Sequence, residues 1–161
     1  MLLNFFLALD ANREVFGLNL INRNGKTFYE GNARLNKYLH IAQNLYIAKT
    51  GEKLFKEDLF AFDNGAVVPS IREMYISLRN KDLIPVIDAK YSEFLRKVYR
   101  VLQNATIDEL IEISHEDNKW SDKNPHRGNQ RMDSLKRTQE YKKQYSDMLI
   151  VMDRMQEQKP L

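Results

Sequence analysis

The sequence predicts a mostly α fold: a single compact helical domain over residues 1–161, with a short β-hairpin at most and a long C-terminal helix. Three observations predict it. Apolar residues recur at three- and four-residue spacing along most of the chain, the period of a helix packed on one face. Glycine, proline and capping residues punctuate those stretches where helices start and stop. Only one turn signal, Asn22-Arg23-Asn24-Gly25-Lys26, is flanked by short strand-like runs.

Taken in order, residues 2–16 form a first helix with Leu2, Phe5, Phe6, Leu9 and Phe16 on one side. Leu18–Ile21 and Thr27–Tyr29 pair as a hairpin across the Asn-Gly turn, or form a loop there. Gly31-Asn32 breaks the chain ahead of a helix in which Leu35, Tyr38, Leu39, Ala42, Leu45 and Tyr46 bury one broad face. Gly51, after Thr50, ends that helix because glycine accepts the left-handed conformation of a C-cap. Phe60-Ala61-Phe62 is a short extended piece, and Gly65 and Pro69 frame a bend. A helix starts at Pro69 or Ser70 and buries Ile71, Met74, Tyr75 and Leu78.

Residues 88–103 return to helical periodicity through Tyr91, Phe94, Leu95, Val98 and Leu102. Thr106-Ile107-Asp108-Glu109 is a capping box, and it opens a short helix that runs to about His115. Asp117–Asn129 is the longest loop. The last helix covers about 133–157 and carries Leu135, Tyr141, Tyr145, Met148, Leu149, Met152 and Met155.

Composition narrows the function classes. The chain is 43% hydrophobic and 29% charged, ordinary for a globular protein. It has no cysteine, which excludes disulfides and thiolate chemistry and fits a cytoplasmic location. The apolar start, Met1–Leu9, is too short to span a bilayer and is followed by Asp10, Arg13 and Glu14. That flank argues against a signal peptide and against a membrane partner. The net charge of +3 is concentrated after Lys119, a pattern that reads first as a solvated helix face and second as a surface for an acidic protein or a phosphate backbone.

Catalysis finds little footing. His40, His115 and His126 are the only histidines. His115-Glu116 lacks the second histidine one turn on, where Lys119 stands, so no metal and no cofactor is expected. Ser114 and His115 are neighbours on a helix and do not face each other as nucleophile and base. Trp120 is either a plug under the long loop or an exposed anchor. Arg127, Arg131, Arg137 and Lys143 are the candidate nucleic-acid contacts, with Tyr141 and Tyr145 nearby at core spacing.

The order of signals from Leu35 to Tyr75 resembles the Panacea domain, the SocA-like antitoxin family that also includes phage-associated proteins of the GepA type. That family shows a helix of the form K-L-Q-K-L-L-Y-Y-A-Q, a Gly, a Leu-Phe pair and an A-W-x-x-G-P-V-V-P element. Here the matching residues are Arg34–Gln43, Gly51, Leu54-Phe55 and Ala61–Pro69. Leu110–His115 followed by Trp120 is similar to the family's second signature, so the resemblance runs over about 33–121. Ala66 replaces the first proline of the element and Phe62 replaces its tryptophan.

The resemblance implies a non-catalytic bacterial or phage protein that neutralises a cognate protein toxin by binding it, in the SocA case as a proteolytic adaptor. The expected partner-binding residues are Asp63, Gly65, Val67, Pro69 and Arg72 on the bend and His115 and Trp120 at the helix corner. The competing expectation is a phage or mobile-element accessory protein binding nucleic acid or a host nucleoprotein through its basic C-terminal third. Either leaves a homo-oligomer open.

Overall fold

The computed structural model describes residues 2–23, 25–62, 65–81, 87–117 and 131–155. Over these the fold is mostly α, with two small antiparallel two-stranded sheets. The helices are α1 (Phe5–Leu9), α2 (Glu30–Thr50), α3 (Pro69–Arg79), α4 (Ala89–Leu102), α5 (Ile107–His115), α6 (Thr138–Gln144) and α7 (Ser146–Asp153). The strands are β1 (Leu20–Arg23) and β2 (Lys26–Tyr29), then β3 (Phe60–Phe62) and β4 (Gly65–Val67). No helix among the described residues is long and apolar enough to cross a membrane.

The α2 helix is the axis of the molecule. It packs against α3, α4, α5, α6, β2 and β4, and every residue from Leu35 to Ala48 is buried. The apolar stripe lies where the spacing puts it, but the expectation of one buried face is corrected. The polar residues Asn36, Lys37, His40, Gln43 and Asn44 occupy another face of the same helix, and that face is buried too. The helix also starts earlier than expected, at Glu30, directly after β2. Gly31 is no breaker. It sits in the first turn because a side chain there would collide with Tyr75 Oη and the backbone of Gly17.

The first helix is shorter than residues 2–16: a 3-10 turn at Leu2–Asn4 and then α1, which stops at Asp10. The Asp10 carboxylate accepts from the backbone N–H groups of Glu14 and Val15 (both 3.1 Å) and Phe16 (2.7 Å). A side chain that satisfies three amides offers the backbone an alternative to further helix. Arg79 locks this turn by donating to Leu7 O (3.1 Å) and Asp10 O. Phe16 still reaches the core, edge-on to Tyr38 with ring centroids 4.9 Å apart.

The hairpin is present, in the register Leu20↔Tyr29 to Arg23↔Lys26. The capping box is present as well: Thr106 and Glu109 exchange side chain-to-backbone bonds of 3.1 Å. The expected C-terminal helix over 133–157 is corrected to a 3-10 turn at Ser134–Arg137 followed by α6 and α7. Tyr145, at φ −103° and ψ 17°, separates the last two. The break lets α6 dock on α2 while α7 docks on α4, which one straight rod could not do.

Candidate partner-binding site

The second sheet is an arch laid across α2. It pairs Phe60↔Val67, Ala61↔Ala66 and Phe62↔Gly65, and Val68 leads straight into α3. The polar row of α2 pins this arch from below. Asn36 Oδ1 accepts from Val68 N at 2.8 Å, while its Nδ2 donates to Asn32 O and Oδ1 (both 3.0 Å). Lys37 Nζ donates to Ala66 O at 3.3 Å. About two turns further on, Gln43 holds the next loop, accepting from Leu54 N (2.6 Å) and donating to Phe55 O (3.0 Å).

Beneath the arch lies a sealed polar cluster. Asp117 Oδ2 accepts from His40 Nε2 (2.8 Å), Asn44 Nδ2 (3.1 Å) and Tyr141 Oη (2.7 Å). His40 Nδ1 stands 3.0 Å from Ser114 Oγ, which itself accepts from Ala66 N at 3.1 Å. The carboxylate can only accept, so Nε2–H faces Asp117, and the Ser114 hydroxyl is the partner of Nδ1. Burial first, then the nearby Asp117 charge, pushes the Tyr141 phenol well above its ordinary range, so it stays a donor. Ser114, His40 and Asp117 are the residue types of a hydrolase triad. Here the ring is reversed, with Nε2 on the carboxylate, and all three side chains are fully buried. Their chemistry is to fix α2, α5, α6 and the arch to one another.

Above Lys37 a cavity of about 110 Å³ opens between β2, α2, the arch and α3. Phe28, Phe62 and Val67 give it apolar walls, and Lys26, Lys37 and Arg72 bring positive charge. The Arg72 guanidinium lies over the Phe62 ring, 4.9 Å from its centroid, a cation–π contact that positions it. Lys37 is 2% exposed, and burial lowers its ammonium from 10.5 to about 7. Gly65, at φ +114°, passes directly over that side chain.

Compared with known proteins, residues 35–121 match the family model described as antitoxin SocA-like, Panacea domain. The chain belongs to this family. No curated protein and no solved structure matches it. In this Panacea domain the matched segment runs from α2 through the arch, α3, α4 and α5. The two departures from the family motif have local explanations. Ala66 supplies the N–H that bonds Ser114, which proline would lack, and Phe62 supplies the ring under Arg72.

The structure brings Gly65, Val67 and Arg72 together around the cavity, and Pro69 begins α3 beside them. His115 does not line it. His115 is half-buried at the end of α5, next to the Ser114 that touches the arch. Asp63, Trp120 and Arg127 lie outside the described residues, as do His126 and Lys119. Of the candidate nucleic-acid contacts, Arg131 is exposed but within 3.8 Å of Asp58, Arg137 is half-buried and Lys143 is exposed. Tyr141 and Tyr145 are core residues and unavailable for base stacking. Sequence reasoning missed Lys37, His40, Asn44, Ser114 and Asp117. The usable signal was the row 36, 37, 40, 43, 44, five polar side chains on one stripe of the otherwise apolar stretch 35–48.

Proposed function

We propose that the chain is the antitoxin of a toxin–antitoxin pair, a non-catalytic domain that neutralises a cognate protein toxin by direct binding. Membership of the SocA-like antitoxin family is the observation that carries this proposal. The contact residues are Gly65, Val67, Pro69 and Arg72 on the arch and α3, together with Asp63, His115 and Trp120. The geometry favours binding over catalysis, since the Ser–His–Asp cluster among the described residues is buried while Ala66 of the arch above it is pinned by Ser114 and Lys37. A rigid surface binds without the entropic cost of ordering itself.

The protein works as one domain in the cytoplasm of a bacterial or phage-infected cell. It occludes its toxin or, in a finer version, presents it to a protease. The neighbouring reading frame is the test. Its product should arrest growth when expressed alone, be harmless when co-expressed with this chain, and co-purify with it. A neighbour that is harmless alone, or toxic in both conditions, refutes the proposal. Toxin half-life separates the two versions, because an adaptor shortens it and simple occlusion does not.

A further inference from the structure

Lys37 is an expensive residue to keep where it is. Its side chain is buried, and among the described residues it makes a single hydrogen bond, 3.3 Å long, to Ala66 O. An ammonium has three donors, and methionine or leucine would fill the same space without desolvating a charge. The amine nevertheless lines a cavity of about 110 Å³ whose outer edge carries the exposed Arg72, propped on Phe62. None of the described residues lining that cavity is acidic. The Asn36 amide is already committed to Asn32 and Val68, and the cationic groups on the described lining are Lys37 at the floor, Arg72 at the mouth and Lys26 on β2.

We propose that this cavity is the socket for one carboxylate side chain, an aspartate or glutamate of the bound toxin, with Lys37 at its floor and Arg72 at its mouth. The inference rests on the antitoxin function above and names what that surface recognises. Charge complementarity argues for an anion, and size and lining argue for which one. A planar guanidinium and one ammonium match the two oxygens of a carboxylate. Phe28, Phe62 and Val67 suit the methylene stem behind it.

The test has two arms. In the first, the probe is N-acetyl-glutamyl amide, whose only charge is the side-chain carboxylate, titrated into the full chain and followed by backbone amide NMR. Shifts at Gly65, Val67 and Lys37 are expected, weakened at least tenfold by Lys37→Met and also by Arg72→Ala, with none from the glutaminyl analogue. Equal binding of the neutral analogue, or tighter binding of inorganic phosphate, overturns the proposal. In the second arm, acidic residues of the neighbouring gene's toxin are replaced one at a time by their amides. One replacement should weaken binding at least tenfold to the wild-type chain and leave binding to Lys37→Met unchanged. Toxin that binds wild type and Lys37→Met alike overturns the socket while the antitoxin function stands. Probe binding without any toxin binding refutes the antitoxin function while the carboxylate site stands.

Discussion

A methyl group placed on Gly65 would stand 2.5 Å from Lys37 Cε and 2.7 Å from Ser114 Oγ. Gly65 also has a φ of +114°, where any side chain is strained. Gly65→Ala should therefore cost about 2–4 kcal/mol, summing backbone strain and overpacking. Urea unfolding measures it, and the amide of Ala66 should shift as Lys37 is pushed aside. A loss below about 0.5 kcal/mol would show that the arch relaxes freely and does not rest on Lys37.

Lys37 gives stability a pH dependence whose sign can be stated. Its folded value is about 7 against 10.5 unfolded, so between these the unfolded chain binds more protons. Stability therefore rises with pH from about 7 upward, at up to about 1.4 kcal/mol per unit. The rise ends near pH 10, where tyrosines such as Tyr38, Tyr75 and Tyr145, whose burial raises them in the folded state, begin to ionise in the unfolded chain. Denaturation midpoints at pH 6.5 and 9 should differ for wild type and converge for Lys37→Met, which should be the more stable protein at pH 6.5. Parallel pH profiles for the two would be the contrary result.

Asp117 serves three donors with one oxygen, and removing it takes an acceptor from all three. Asp117→Ala should destabilise by about 3–5 kcal/mol, or abolish folding. Tyr141→Phe removes a single donor and should cost about 1–2 kcal/mol. If Tyr141→Phe proved as damaging as Asp117→Ala, the phenol rather than the carboxylate would be the centre of the cluster.

Gly31 reverses an ordinary expectation about helices. In an exposed helix interior, alanine improves on glycine by about 1 kcal/mol. Here the added methyl meets Tyr75 Oη and the Gly17 backbone, so Gly31→Ala should destabilise by at least about 2 kcal/mol. Tyr75→Phe, which forfeits the 2.7 Å bond to Gly17 O, should recover part of that loss in the double variant. Strict additivity of the two would refute the clash with the Tyr75 hydroxyl.

What could be read from the sequence was what neighbours along the chain decide. The Thr106–Glu109 capping box, the Gly51 cap, the Pro69 helix start and the apolar stripe of α2 are local, and each stands where its residues put it. The polar row of α2 was illegible because a buried polar stripe and a solvated one have the same period. Only partners distinguish them, and His40 finds Ser114 and Asp117 more than seventy positions away, while Asn44 finds Tyr145 at a separation of 101. The short α1 and the break at Tyr145 were hidden for a similar reason. A carboxylate folding back on amides, and two docking faces for one apolar run, leave no mark on periodicity. At the candidate site, Gly65 and Val67 came from the motif and Arg72 from its value as an arginine anchor, whereas the amine beneath them was passed over within the motif itself.

The hydroxyls of Tyr141 in α6 and of Tyr145 just after it close over Asp117 and Asn44, twenty residues or more beyond the last position matched by the family model. A recombinant fragment trimmed to the matched segment would uncover the most polar part of its own interior. Whoever grafts this domain onto another protein, or shortens it for crystallisation, should carry the chain past α6 through Tyr145 at least. The boundary of recognisable ancestry is not the boundary of what holds itself together.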